Sequence, residues 1–287
     1  MSNYQTYFLH IGKIAGMYYT MPGRKVSSII VYGIGAPLPP DDGRLSDAHV
    51  ILNHDIDLFV PDYIGYGRSE GIFTPLNCVK TFLDLYEFLS KGCIARCNYI
   101  GLKKKLQYND IHFVGRSFGG AYVSLLPKFN SQITNICMIY PMLNWENIGK
   151  TTGVIEESVE DFFKAMVEDG YQYLYRGILS KMWRQHFAGI DGLNPISNIS
   201  YLKDARVFIG HGRKDRSIYF GNSVEYYNAL IKLFPGKKDQ FLLKLYPFDH
   251  SKKTSNEAIQ EYLRYVGISP SRDKWGRIVS TKVPAIL

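Results

Sequence analysis

Residues 111–120 read IHFVGRSFGG, and the reading of this stretch decides the fold. The run IHFV has the β-branched and aromatic character of a strand, and Ser117 follows it between Gly115 and Gly119, with Gly120 behind. Such a serine sits either in a loose turn or on a strained strand-to-helix elbow that presents its hydroxyl as a nucleophile. A Gly-x-Ser-x-Gly match alone is weak, because Gly and Ser are both common turn residues. The elbow reading requires an acid, a histidine and oxyanion donors at the ends of other strands.

The chain around this stretch alternates strand and helix. Short apolar runs at VSSIIVYG (26–33), IDLFVPDY (56–63), ITNICMIYP (133–141), ARVFIG (205–210) and FLLKLYP (241–247) read as strands. Helical periodicity marks 75–90, where Val79, Phe82, Leu83, Tyr86 and Leu89 share a face, and again 118–126, 222–234 and 254–267. Strands buried on both faces and alternating with helices predict a mostly parallel sheet covered on both sides. FLHIGKIAGMYYT (8–20) reads as a hairpin or a pair of short strands. Two segments break the rhythm. Residues 91–109 form a basic connection expected to hold helical turns or a loop, and 142–204 form a long insertion between two strands. The insertion is expected as a mostly helical cap, so that 1–141 and 205–287 form the core domain. The tail, 269–287, is expected as an edge strand or an unstructured end.

A serine hydroxyl needs a base, and the base needs a group to fix its tautomer. Of seven histidines, His250 follows the last strand and precedes the closing helix, the end at which parallel sheets keep their chemistry. Asp215, in the loop after ARVFIGHG, is the expected acid, in preference to Asp249 beside the histidine. His211 is assigned a loop-shaping hydrogen bond. One oxyanion donor is the N–H of Phe118, after the nucleophile. The second lies in the loop after an earlier strand, YGIGAP (32–37), where Gly33 and Gly35 bracket Ile34; Ile34 N–H is preferred, with Gly35 next. Gly115 and Gly119 leave room for strand and helix to approach, and Gly120 extends that small surface. Arg116 is expected to point away from the nucleophile.

With these residues in place, the sequence resembles an α/β-hydrolase. The resemblance is carried by YGIGAP (32–37), PDYIGYGRSEG (61–71), GRSFGG (115–120), HGRKD (211–215) and DH (249–250), and spans about residues 15–266. It is similar to prolyl-oligopeptidase-like catalytic domains and to cap-bearing acylesterases and monoacylglycerol-lipase-like enzymes. That resemblance implies a Ser117–His250–Asp215 triad, an acyl-serine intermediate, no metal and no organic cofactor. It also implies that GYGRS is scaffold beneath the site. One departure stands out: Tyr32 takes the place where a histidine often opens the oxyanion loop.

Composition limits the alternatives. A hydrophobic share of 46% and an aromatic share of 14% support a sizeable core. No apolar run approaches membrane-spanning length, and the N-terminus has no signal-peptide pattern. Four cysteines without a metal-ligand spacing suit ordinary thiols in a reducing cytoplasm. The net charge of +8 is spread, with small clusters at Lys103–Lys105 and Lys237–Lys238 and no nucleic-acid-binding motif. The expected substrate is therefore a small-molecule or acyl-chain ester. A peptidase or amidase acting on short peptides is the alternative, favoured if Glu156, Glu157, Glu160 and Asp161 face the pocket. Phe162, Phe163, Met166, Tyr171, Tyr173 and Tyr175 would instead suit an acyl chain. A catalytically inactive binding protein on the same fold is the remaining possibility.

Overall fold

The computed structural model describes residues 4–24, 26–151, 158–168 and 172–270. Expectations for Glu156, Glu157, Tyr171 and the tail beyond 270 lie outside the described residues.

The chain opens with an antiparallel hairpin, β1 (Gln5–Ile11) and β2 (Ile14–Thr20). Next come β3 (Ser28–Gly33), the short α1 (Ala48–Leu52) and β4 (Asp57–Pro61). Thr74 then starts α2 (Pro75–Lys91) by accepting the Asn77 N–H at 3.1 Å, with Pro75 pre-set for the first turn. Cys78, Val79, Phe82, Leu85 and Leu89 form its buried stripe, and Gly92, at a φ of 89°, ends it.

Residues 91–109 hold neither helical turns nor only a loop. They form a second antiparallel hairpin, β5 (Cys93–Cys97) and β6 (Leu102–Leu106). Ala95 and Cys97 are buried while Ile94 and Arg96 are exposed, a period of two. The lysine run conceals the same alternation. Lys103 and Lys105 face out, whereas the Lys104 ammonium lies over the Tyr7 ring, 4.1 Å from its centroid.

The stretch around Ser117 follows as β7 (Asp110–Arg116), α3 (Phe118–Ser124), α4 (Leu126–Phe129) and β8 (Asn135–Ile139). In the insertion, the described helices are α5 (Val159–Val167), α6 (Ser180–Phe187) and a 3₁₀ run at Pro195–Leu202. Among the described residues, 172–179 and 188–194 form turns and irregular chain between these elements. The core resumes with β9 (Arg206–Gly212), α7 (Phe220–Leu233), β10 (Phe241–Tyr246) and α8 (Lys252–Tyr265).

Among the described residues one ten-stranded sheet runs in the order β10-β9-β8-β7-β3-β4-β2-β1-β5-β6. From β10 to β4 neighbouring strands are parallel; from β4 outward the pairs are antiparallel. All five residues of β4 and of β8 are buried, as expected of strands covered on both faces. The order places β7 centrally, with β3 on one side and β8 on the other. The ends of β3, β7, β8, β9 and β10 therefore converge on one region, and that convergence builds the site.

Candidate active site

Ser117 joins β7 to α3 with a φ of 53° and a ψ of −120°, a backbone conformation that non-glycine residues rarely adopt. Holding a serine there costs on the order of 1–3 kcal/mol, tolerated only where the surroundings over-determine it. The constraints are visible. Its N–H donates to Ile139 O at 2.9 Å, and its carbonyl accepts from Gly120 N–H at 2.9 Å. The flanking glycines are steric necessities: a Cβ on Gly115 would lie 2.3 Å from Gly119 O, and one on Gly119 would lie 2.4 Å from Gly33 O. Strand, elbow and the loop after β3 are in backbone contact here, and a side chain at either position would separate them.

The structure brings His250 and Asp215 together. His250 Nδ1 lies 2.8 Å from Asp215 Oδ2, while Asp249 is exposed at the next position. Asp215 Oδ1 accepts the N–H groups of Ser217 and Ile218, each at 2.9 Å, so both carboxylate oxygens are engaged. Burial pushes the Asp215 carboxyl up, but hydrogen bonds from His211 and His250, and their charge, outweigh it and hold it well below the usual carboxylate range. His211, fully buried, also bonds Ser223 Oγ at 2.8 Å and Ile218 O at 3.0 Å. It shapes the acid's loop from below.

Ser117 and His250 line one cavity of about 590 Å³, together with Gly35, Met142, Phe162 and Ile218. Between the two oxyanion candidates in the loop after β3, Gly35 lines the cavity, and a Cβ there would sit 3.1 Å from Ser117 Cβ. Ile34 is buried, and its carbonyl accepts the Tyr63 hydroxyl at 2.8 Å, which pins the loop. Phe118 follows Ser117 with its ring fully buried against Tyr122, centroids 4.7 Å apart.

Several participants escape a sequence reading. Tyr140, just past β8 at a φ of 37°, packs against the His250 imidazole with centroids 4.0 Å apart and ring planes tilted by 44°. Arg116 does not turn away from the site: it lines the cavity, with its guanidinium 4.0 Å from the fully buried Asp47. Asp47 accepts the Tyr32 hydroxyl at 2.5 Å and the Ser255 hydroxyl at 2.6 Å. Tyr32 thus has a defined role: burial and the adjacent carboxylate raise its hydroxyl pKa, keeping it a donor to Asp47, the carboxylate through which β3 is tied to Ser255 of α8. A faint signal existed in LSDAH (45–49), where Asp47 reads as a helix cap; it makes no side-chain cap bond.

The insertion contributes α5 to the cavity wall. Phe162 and Asp161 line it, whereas Phe163 lines a separate outer groove with Glu160, and Met166 is fully buried. Tyr173 is exposed, and Tyr175 packs on Tyr66 with centroids 4.9 Å apart. Arg176 N–H donates to Gly65 O at 2.8 Å and Phe73 N–H to Arg176 O at 2.7 Å, docking the insertion on the GYGRS loop. Within that loop Arg68 grips Asp62 with both ends, at 2.8 and 2.9 Å. A second Asp–His pair, Asp191–His186, is capped by the Tyr122 hydroxyl, 2.9 Å from the fully buried His186, and ties α6 to α3, with Asp191 at the surface. Among the described residues no group of three or more His, Cys, Asp or Glu is placed to hold a metal ion.

No protein-family model and no curated protein sequence matches the chain. Solved structures do. The chain is similar to the esterase Est1E from Butyrivibrio proteoclasticus, with a TM-score of 0.58 and 15% identity, over 91% of this chain and 98% of that one. It is similar to the Pyrococcus furiosus esterase Pf2001, with a TM-score of 0.56 and 13% identity, over 92% of each chain. A puromycin hydrolase gives a TM-score of 0.60 at 13% identity, over 93% of this chain and 40% of that one. With the sheet order and the strand-end elbow already described, these likenesses define the class: the chain has the α/β-hydrolase fold.

Proposed function

We propose that this chain is a serine hydrolase that cleaves a carboxylic ester through an acyl-serine intermediate. The observation that carries the reading is the strained Ser117 sharing a cavity with His250, whose far nitrogen is held 2.8 Å from a buried, ionised Asp215. With Nδ1–H directed at Asp215, Nε2 of His250 is the nitrogen left to accept the Ser117 proton. The serine oxygen attacks the ester carbonyl, and the resulting oxyanion is met by Phe118 N–H and an N–H of the Ile34–Gly35 loop. His250 then protonates the departing alkoxide. In the second step it takes a proton from water, which attacks the acyl carbon, and returns that proton to the Ser117 oxygen as the acyl–serine bond breaks and the carboxylic acid leaves.

The cavity's chemistry supports an ester over a free-amine peptide. Among the described residues its lining includes two cationic residues, Arg116 and Lys252, and one carboxylate, Asp161. Phe162, Met142, Leu38 and Ile218 supply an apolar wall for an acyl chain. Asp161 is also the feature that favours a second reading, an amidase on aminoacyl substrates, because it could receive a substrate amine. The insertion, 142–204, acts in this reading as a cap that selects the substrate. Four unpaired cysteines fit a reducing cytoplasm.

The test is parallel turnover of p-nitrophenyl esters and aminoacyl p-nitroanilides by wild type and Ser117→Ala, with fluorophosphonate labelling of Ser117. Ester turnover that vanishes in the variant, together with labelling of Ser117, supports the reading. Absence of both labelling and turnover overturns it in favour of a noncatalytic binder.

A further inference from the structure

The β5–β6 hairpin ends the sheet on the side away from β9 and β10, and among the described residues no strand pairs with the outer edge of β6. Its alternation sends Ile94, Arg96, Lys103 and Lys105 to the same exposed face, with Ile94 opposite Lys105 and Arg96 opposite Lys103. Like charges directly opposite one another destabilise a strand pair, so this arrangement is not explained by the fold's own stability. Among the described residues Arg96, Lys103 and Lys105 form no ion pair. Glu70 shares a shallow depression with Arg96 and Ile94 without pairing to either.

The same hairpin carries apolar side chains that the core does not use. Tyr99 is 81% exposed, Ile100 71% and Ile94 58%. Tyr99 and Ile100 sit in the turn between the strands, at the point farthest along the hairpin, and the Tyr99 ring lies beside Phe8, with centroids 5.6 Å apart. Burying an aromatic and an aliphatic tip while keeping a cationic shoulder in contact with negative charge suits one kind of surface. It is the headgroup–acyl boundary of an anionic bilayer, where tyrosine takes the interface, isoleucine the acyl region and lysine or arginine the phosphates.

We propose that the β5–β6 hairpin docks this protein peripherally on anionic phospholipid surfaces, inserting Tyr99 and Ile100 and pairing Arg96, Lys103 and Lys105 with lipid phosphates. The complementarity disfavours other occupants. A second copy added along the open edge would bring Lys103 and Lys105 toward their own counterparts. A nucleic acid would neutralise the cations but leave Ile94 and Ile100 in water. The inference stands apart from the hydrolase reading, since the hairpin contributes nothing to the Ser117 cavity.

The test is co-sedimentation of the full chain with vesicles of pure phosphatidylcholine and of phosphatidylcholine mixed with phosphatidylserine. Binding to the mixed vesicles alone is expected, falling as salt is raised. K103E/K105E should weaken it by at least about tenfold. Tyr99→Ser/Ile100→Ser, with every charge kept, should weaken it several-fold, and circular dichroism melts establish that both variants fold. The proposal is overturned by no binding to mixed vesicles, or by equal binding of wild type and both variants, which would reflect net charge alone. It is also overturned if the hairpin variants abolish a dimer while vesicles stay unbound. Equal loss of single-stranded DNA binding in K103E/K105E, with the tip variant unaffected on vesicles, would reassign the surface to polyanions.

Discussion

His211 Nε2 lies 3.2 Å from Oδ2 of Asp215, the same oxygen that is 2.8 Å from Nδ1 of His250. The acid is thus held from beneath by a buried imidazole and presented upward to an accessible one. Asp215, not Asp249, is placed to orient His250, so Asp215→Asn should lower kcat by about 10³–10⁴-fold, whereas Asp249→Asn should change it little. Steady-state kinetics on a short p-nitrophenyl ester checks both, and comparable losses in the two variants would break the assignment.

The same geometry has a stability consequence. The Asp215 carboxyl is depressed on folding, so its contribution is fully present above the unfolded value of about 3.9 and is lost as pH falls through the lower folded value. Urea midpoints of wild type and Asp215→Asn should therefore differ by a constant amount from neutral pH down to about pH 5 and converge only in stronger acid. A difference that disappears between pH 7 and 5 would mean that another group governs this loop.

Backbone strain at Ser117 separates activity from stability. Ser117→Ala removes the proposed nucleophile but keeps a Cβ at a φ of 53°, so kcat should vanish with little change in Tm. Ser117→Gly should be as inactive and yet melt higher by about 2–4 °C, because relief of strain exceeds glycine's added unfolded-state entropy. Calorimetry of the two variants decides it; a glycine variant that melts no higher than the alanine one would show the elbow to be unstrained.

Selectivity for acyl length should reside in Phe162, which faces the cavity, and not in Phe163, which faces the outer groove. In a chain-length series of p-nitrophenyl esters, Phe162→Ser should flatten the rise in kcat/KM, losing up to about fourfold per methylene at the lengths that reach it. Phe163→Ser should run parallel to wild type. The reverse pattern would place the acyl site outside this cavity.

Asp47 is fully buried beneath Tyr32, Ser255 and Arg116. Removing its carboxylate strands two hydroxyls and a cation, so Asp47→Ala should cost about 3–5 kcal/mol in chemical denaturation. A loss below about 1 kcal/mol would show that these groups find other partners, water included.

The local features were legible along the chain because they are set by nearest neighbours. The elbow follows from glycines spaced around Ser117, the α2 start from Thr74 and Pro75, and the central strands from β-branched runs buried on both faces. The chain order of Ser117, Asp215 and His250 pointed to one site because each follows a strand. Lys103–Lys105 misled in the opposite way: one lysine of three folds back over Tyr7, so a strand's alternation read as a basic loop. What the tertiary structure alone decided are contacts between residues far apart in sequence. Tyr32, Asp47, Arg116 and Ser255 meet only because β3 and β7 pair and α8 packs behind them; no local pattern marks a buried carboxylate awaiting partners up to 208 positions away. Likewise, which face of α5 looks into the cavity depended on where the insertion docks, through Arg176 and Tyr175 on the GYGRS loop. Sequence periodicity defines an apolar stripe, but the surface that stripe meets is chosen by the packing of the whole chain.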